Sequence, residues 1–231
     1  MHHAINNLDR MTKRSRSAPS AGKASAPAER TRTRILEAAE RLFSERGIET
    51  VSVRSILAAT GVNPALAHYH FGSREGLIAE LLRMRVAPLV EELVRAIDAV
   101  DARGTDATVE DVLRAYFTPA ARWMVDAPRI GRLLSQLQSS PSEDVRAMGR
   151  DALRKAITRL GEAVMKRLPR DLDPKRVFFR FYLLIGGPSF LGGNWEHIRR
   201  SARRYLGADA AMEASWIAEE LVRCGVALLL A

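Results

Sequence analysis

Five histidines, one cysteine and scattered carboxylates are the residues of this 231-residue chain that could hold a metal or act as nucleophile, acid or base. Their spacing gives them little shared work. His68 and His70 stand two apart, and on a helix such side chains diverge by about 200°, so they cannot grip one ion. His197 and Cys224 fall at no zinc-ligand spacing. There is no Gly-x-Ser-x-Gly, no glycine loop to cradle phosphate, and no carboxylate pair with an obvious partner. The expectation is a protein that is not an enzyme, with no metal and no cofactor.

The residues that do stand out are cationic. Lys plus Arg total 36 against 27 Asp plus Glu, a net charge of +9, and the excess is mostly arginine. Guanidinium favours anions with planar, bidentate acceptors, nucleic acid above all. One cysteine, Cys224, excludes an internal disulfide framework and suits a reducing cytosol. No apolar run reaches the roughly 18 residues that a membrane helix requires. The candidates Val177–Leu191 and Trp216–Ala231 are interrupted by Arg180 and by Glu219, Glu220 and Arg223. Lys13, Arg14 and Arg16 are followed by no apolar stretch, so no signal peptide is read. A soluble, cytoplasmic protein with no membrane partner is expected.

The elements that position these cations read as all-α. Residues 1–28 are rich in Ser, Ala, Pro and basic residues without periodicity, which predicts a disordered basic tail. From Thr31, apolar Ile35, Leu36, Ala39, Leu42 and Phe43 recur on one helical face, and Gly47 ends the run. Ser52 caps a short helix with Ile56 and Leu57, and Gly61 closes it. Asn63-Pro64 opens the next helix and Phe71-Gly72 closes that one. Ser73 caps a long segment to about Val100, with a kink or boundary expected at Pro88. Helical segments follow near 108–126, 129–138, 142–167, 174–191 and 211–230, punctuated by proline and glycine, and no strand alternation appears. Arg199, Arg200, Arg203 and Arg204 fall between the last two long segments and read as a solvated interhelical loop. The predicted architecture is a three-helix unit over 29–75 followed by a larger helical bundle over 76–231.

Residues 52–71 are two short helices joined by a turn through Gly61, the spacing of a helix-turn-helix whose second helix enters the major groove by its N-terminal residues. Glycine suits the turn because it tolerates positive φ. Ordinary helical proteins also contain short helix pairs, so periodicity alone leaves that reading open.

The stretch from Arg32 to Leu82 resembles the DNA-binding domain of the TetR family of bacterial repressors. The matching residues are Arg34-Ile-Leu-Glu-Ala-Ala, Leu42-Phe-Ser-Glu-Arg-Gly, Gly61-Val-Asn, Tyr69-His-Phe and Ser73-Arg-Glu-Gly-Leu. The resemblance implies a homodimer that binds double-stranded DNA and releases it when a small molecule enters the C-terminal bundle. It places a base-contacting residue at Arg54, where arginine can chelate guanine O6 and N7. Ser52 joins the DNA-facing set. Pro64, Ala65 and Leu66 begin the recognition helix and offer only apolar contact, for example to thymine methyls. Tyr69 is expected at a phosphate or the groove wall. Histidine at position 68 departs from the family's usual tyrosine; it still donates to phosphate, and would make binding respond to pH near 6.5. Ala67 is a second departure, smaller than the usual aliphatic residue. His70 belongs to the same signature, but packing between helices with a hydrogen bond to backbone is the favoured role for it. Arg74, at a helix N-terminus, and Thr31 and Arg32, before the first helix, suit phosphates. For Arg54 and Arg74 a solvated surface role is the alternative, as it is for the basic tail.

Two C-terminal segments, 176–191 and 215–230, are apolar on most faces and need cover on both sides. In the TetR family two such helices per subunit build the dimer interface; a buried core helix within a monomer is the alternative. Cys224 would then be an apolar filler. A ligand cavity is expected within 108–190, lined by Trp123, Met124, Leu133, Leu134, Leu137 and Phe178, with Gln136 or Arg122 orienting a polar head. Ordinary core packing gives the same pattern. The leading expectation is a ligand-responsive dimeric repressor whose two recognition helices sit roughly 34–36 Å apart. A helical adaptor that oligomerises without reading DNA, or an enzyme on a helical bundle, are the competing classes.

Overall fold

The computed structural model describes residues 26–63, 70–207 and 212–231. The predicted basic tail therefore lies outside the described residues except for its last three positions, which are helical. Among the described residues there are ten α-helices and no strand. They are α1 (Ala26–Arg46), α2 (Val53–Thr60), α3 (Arg74–Arg85), α4 (Ala87–Asp101), α5 (Val109–Asp126), α6 (Pro128–Gln138), α7 (Glu143–Met165), α8 (Pro174–Gly193), α9 (Trp195–Leu206) and α10 (Ala214–Leu230).

Local chemistry sets most of these boundaries. Gly47 leaves α1 at φ +93°, and Gly61 closes α2 at φ +66°, conformations that cost L side chains but not glycine. The Ser52 hydroxyl accepts the Ser55 amide at 3.1 Å and the Ser73 hydroxyl accepts that of Gly76 at 3.0 Å, each satisfying an orphan donor of a first helical turn. Pro88 cannot donate to the carbonyl four residues before it, so the expected long segment divides at Val86 into α3 and α4. Thr108 and Asp111 form a reciprocal capping box at the start of α5.

One expectation fails. The 199–204 arginines do not form a loop but lie on α9, which Trp195 anchors by burying all but 3% of its surface. The apolar signal there is one tryptophan and a few half-buried residues, too thin for periodicity to register. α8 also runs on through Gly192 and Gly193 rather than stopping before them.

One hydrophobic core runs from Ile35 in α1 to Leu229 in α10, so α1 and α2 are packed onto the later helices rather than tethered to them. α6 is the element between them: it packs on α1, α7 and α8. The α6–α8 crossing depends on small residues. A Cβ on Gly131 would lie 2.7 Å from the Gly192 carbonyl oxygen, and one on Gly193 would lie 2.5 Å from Ser135. A smaller cluster of Ala121, Met124, Trp195, Ile217 and Ala218 ties α9 to α5 and α10.

Candidate functional site

A short polar tie holds α2 against α1. Arg34 donates to the Thr60 carbonyl at 2.8 Å, satisfying an orphan acceptor in the last turn of α2 and fixing that helix against α1. Ile56 and Leu57 are buried beneath α2. The opposite side is open: Arg54 is exposed and makes no hydrogen bond or ion pair among the described residues. Its guanidinium is therefore uncommitted, as a base-reading arginine must be.

The other sequence-predicted cations are differently placed. Arg32 pairs with Glu80 of α3 and lies 3.8 Å from Glu29. The Glu80 carboxyl is held below its ordinary pKa, first by the hydrogen bond from Arg83 and also by the charge of Arg32, against a desolvation that pulls the other way. Arg74 donates to the Ile48 carbonyl and sits 3.9 Å from Glu49. Both arginines thus have internal partners where phosphate contacts were expected. Thr31 is half-buried on α1, Ser52 is exposed with its oxygen occupied as a cap, and His70 is half-buried with its ring 6.0 Å from that of Phe71. Pro64, Ala65, Leu66, Ala67, His68 and Tyr69 lie outside the described residues.

The bundle sets the residues expected to bind a ligand in different places. A mainly apolar cavity of about 90 Å³ lies among Leu89 and Leu93 of α4, Tyr116, Ala120, Trp123 and Met124 of α5, Leu134 of α6, Leu153 and Ile157 of α7, and Ile185 and Pro188 of α8, with the polar Ser135, Gln138 and Ser189 also in its wall. Of the expected residues, Trp123, Met124 and Leu134 line it. Leu133 and Leu137 are wholly buried in the main core instead. Arg122 is exposed and pairs with Glu92 at 2.5 Å. Gln136 turns away from the cavity, its side-chain oxygen accepting the Ile48 amide at 3.1 Å. Phe178 stands on the outer face of α8, 65% exposed. Helical spacing cannot say on which side of a buried helix a cavity lies, and the missed residues, Tyr116 foremost, share no pattern across their four helices.

The outer face of α8 carries Phe178, Phe179, Tyr182, Leu183 and Phe190, each more than half exposed, and α10 adds Trp216 and Leu230. Cys224 is exposed on the same helix. Large exposed apolar side chains gathered on two helices that pack together are the kind of surface that partners cover. Among the described residues, no group of three or more His, Cys, Asp or Glu side chains could hold a metal ion, and no helix is long and apolar enough to cross a membrane.

Comparison with known proteins agrees with this arrangement. The profile of the bacterial regulatory proteins of the tetR family matches residues 35–81, from the core of α1 to the middle of α3. The HTH-type transcriptional repressor AcnR of Corynebacterium efficiens is 31% identical over 147 residues, covering 64% of this chain and 69% of that protein. AcnR of Corynebacterium glutamicum is 29% identical over 143 residues, covering 62% and 66%. The HTH-type transcriptional regulator UidR of Escherichia coli is 35% identical over 77 residues, and the chain spans only 39% of its length. Among solved structures, a TetR-family transcriptional regulator from Bordetella parapertussis superposes with a TM-score of 0.62 at 18% identity, covering 86% of this chain and 95% of that one. FadR from Bacillus subtilis, in complex with stearoyl-CoA, gives 0.62 at 15% identity, covering 82% and 97%. At these identities the structural likeness is one of fold. The relationship to AcnR runs well past the three-helix unit into the bundle, and with it this chain belongs to the TetR family.

Proposed function

We propose that this protein is a cytoplasmic, homodimeric transcriptional repressor that binds operator DNA and releases it when a small molecule enters its bundle. The observation that carries the reading is the uncommitted guanidinium of Arg54 on the exposed side of α2, in a helix otherwise fixed by Ser52, Gly61 and Arg34. The three-helix unit over 29–75 is the reading head, and the bundle over 76–231 is the effector and dimerisation half. Arg54 reads a base, Pro64, Ala65 and Leu66 offer apolar contact in the groove, and Ser52, His68, Tyr69 and Thr31 face the backbone. Arg32 and Arg74 serve this interface by positioning, through Glu80 and Ile48, rather than as free cations. His70 supports the packing beside Phe71.

Dimerisation through the exposed faces of α8 and α10 sets the separation of the two heads. α6 supports a route for release. It lines the cavity through Leu134 and holds the α1–α2 turn through Gln136, so an occupied cavity favours a different head spacing. DNA affinity then falls by the ligand's differential affinity for the two states. The AcnR relatives are named as repressors, and FadR was solved with an acyl-CoA, which supports both halves of the reading.

Selection of bound duplexes from a random pool tests it. The wild-type chain is expected to enrich a near-palindromic site, and Arg54→Ala to lose discrimination at one base pair per half-site, worth about 1–3 kcal/mol. An adaptor that does not read DNA enriches nothing and is indifferent to the substitution. Leu183→Glu, which charges the exposed α8 face, is expected to yield monomers in analytical ultracentrifugation.

A further inference from the structure

The twelve residues of α9 set four arginines against one carboxylate, Glu196. Arg199 lies 3.6 Å from that carboxylate, and Arg204 stacks 5.9 Å over the ring of its neighbour Tyr205. Arg200 and Arg203 are exposed and have neither an ion pair nor a hydrogen bond among the described residues. At 3.6 residues per turn, the four arginines share one side of the helix. The other side holds Trp195, Ile198 and Ala202, which are buried or half-buried against the body of the protein.

The location of that charge follows from α4, which leaves α3 at Ala87 and runs about 22 Å to Asp101. α10 finishes at the far end of this length, where Val226 and Leu230 share an open pocket with Asp101, Lys166 and Val109. Its first turns lie at the near end, where Ile217 and Ala218 pack with Trp195 against Ala121 and Met124 of α5. From there the chain passes into α6, whose Arg129 shares a cleft with Arg34 and Arg41 of α1 and Thr60 of α2. α8 finishes at the same level, with Gly192 against Gly131 of α6. α9 therefore joins the head-proximal ends of the two helices whose exposed faces form the proposed dimer seam. In the dimer its two copies lie at the foot of that seam, between the reading heads.

We propose that α9 is a second DNA contact, in which Arg199, Arg200, Arg203 and Arg204 hold backbone phosphates of the duplex between the two half-sites. This rests on the reading of the chain as a dimeric DNA-binding regulator, and it adds a contact that carries no base information. A duplex bound by heads roughly 34–36 Å apart presents its central turn to that foot, with one negative charge per about 1.7 Å of axis. Guanidinium matches phosphate oxygens in geometry and is weakly hydrated, so little is lost when it docks. An anionic membrane is the poorer occupant. A helix lies in a bilayer surface by its apolar face, and Trp195 commits the start of that face to the protein, leaving Tyr205 and Leu206 of the last turn exposed.

Fluorescence anisotropy of the full chain tests the contact, on the duplex enriched by selection and on a scrambled duplex of equal length, between about 50 and 200 mM salt. The Arg200→Ala, Arg203→Ala double variant is expected to weaken both duplexes by about tenfold. Its slope of log K against log salt is expected to be shallower by about 2–4, the share of up to about four phosphates per dimer. The enriched sequence, the dimer and the melting temperature are expected to stay as in wild type, since both side chains are exposed and unpaired. The Arg200→Lys, Arg203→Lys variant is expected to recover most of the affinity and the slope. In hydroxyl-radical footprints the wild type is expected to shield the backbone at the centre of the site, and the alanine variant to leave it open. An unchanged slope and footprint in the alanine variant overturn the proposal. So does co-sedimentation with phosphatidylglycerol vesicles that the substitutions abolish while DNA binding is untouched. A wild-type chain that selects no duplex removes the regulator reading and this contact with it. A chain that still selects one through Arg54, but is indifferent to the α9 substitutions, removes the contact alone.

Discussion

The side-chain oxygen of Gln136 accepts the backbone N–H of Ile48 at 3.1 Å across 88 positions of sequence, joining the middle of the bundle to the turn between α1 and α2. Neighbouring contacts reinforce the same seam. Arg132 donates to the Ser44 carbonyl at 3.3 Å, and Ser140 donates to Glu49 at 2.5 Å. Ile48 is itself buried, so its amide has no ready access to water if the acceptor is removed. Gln136→Met keeps the length of the side chain and deletes the oxygen. It is expected to cost about 1–3 kcal/mol, read as a lower urea midpoint with unchanged slope. Gln136→Glu keeps an acceptor and is expected to retain most of that stability. On the regulatory reading, the Met variant also releases DNA less completely at saturating ligand.

Arg74 separates a structural from a DNA-facing role. Its guanidinium donates to the Ile48 carbonyl and lies near Glu49, on the other side of the same turn. Arg74→Ala is therefore expected to lower the melting temperature, by an amount equivalent to about 1–2 kcal/mol, because it strands a carbonyl and loosens the turn. Arg54→Ala removes no internal contact and is expected to leave the melting temperature within the scatter of a surface substitution. The pair is read by thermal unfolding in the absence of DNA. A phosphate-binding Arg74 with no structural role gives the reverse pattern.

These two arginines also show where sequence was sufficient. The caps at Ser52 and Ser73, the glycine exits at Gly47 and Gly61, and the break near Pro88 are local chemistry, and local chemistry is written in adjacent residues. The helix-turn-helix frame was legible for that reason. Whether an arginine on its surface is free or spent depends on what the fold brings beside it, such as Ile48 beside Arg74 at 26 positions' remove. The cavity was less legible still. Leu133 and Leu134 are adjacent, equally apolar and equally helical, yet one fills the core and the other lines the cavity. Of the residues named for a pocket wall, Trp123, Met124 and Leu134 share one cavity while Leu133 and Leu137 fill the core, because the facing of a buried helix is decided by its neighbours. α9 escaped because its four arginines outweigh, in any pattern, the single tryptophan that holds it down.

Asp101, at the end of α4, is a hub for three cations. Its Oδ2 accepts Lys166 at 2.7 Å and Arg159 at 2.6 Å, and its Oδ1 accepts Arg167 at 2.8 Å. These bonds, that of Lys166 foremost, hold the carboxyl far below its ordinary value. A depressed carboxylate pKa contributes stability that is complete above the unfolded value, near about 4, and is lost as pH falls toward the folded value. Asp101→Asn is therefore expected to melt below the wild type at neutral pH. The gap should narrow as pH drops below about 4, where the carboxylate of the unfolded wild-type chain takes up a proton that the folded chain still refuses. A gap that stays constant down to strongly acidic pH assigns the effect to packing rather than to charge.

Tyr116 works in the opposite direction on the pH scale. Burial disfavours its phenolate, and the phenol is pushed up to about 12 from an ordinary value of 10.0. A group whose folded pKa exceeds its unfolded one contributes stability that is fully present below the unfolded value and disappears as pH rises through the folded value. The loss is thus expected between about pH 10 and pH 12. Spectrophotometric titration of the four tyrosines should show a late component that Tyr116→Phe removes. The same variant is expected to flatten the alkaline fall in stability while leaving the acid limb, governed by Asp101, unchanged. A phenol that ionises near its ordinary value in the folded protein is open to water, and burial of Tyr116 then has no part in the alkaline limb.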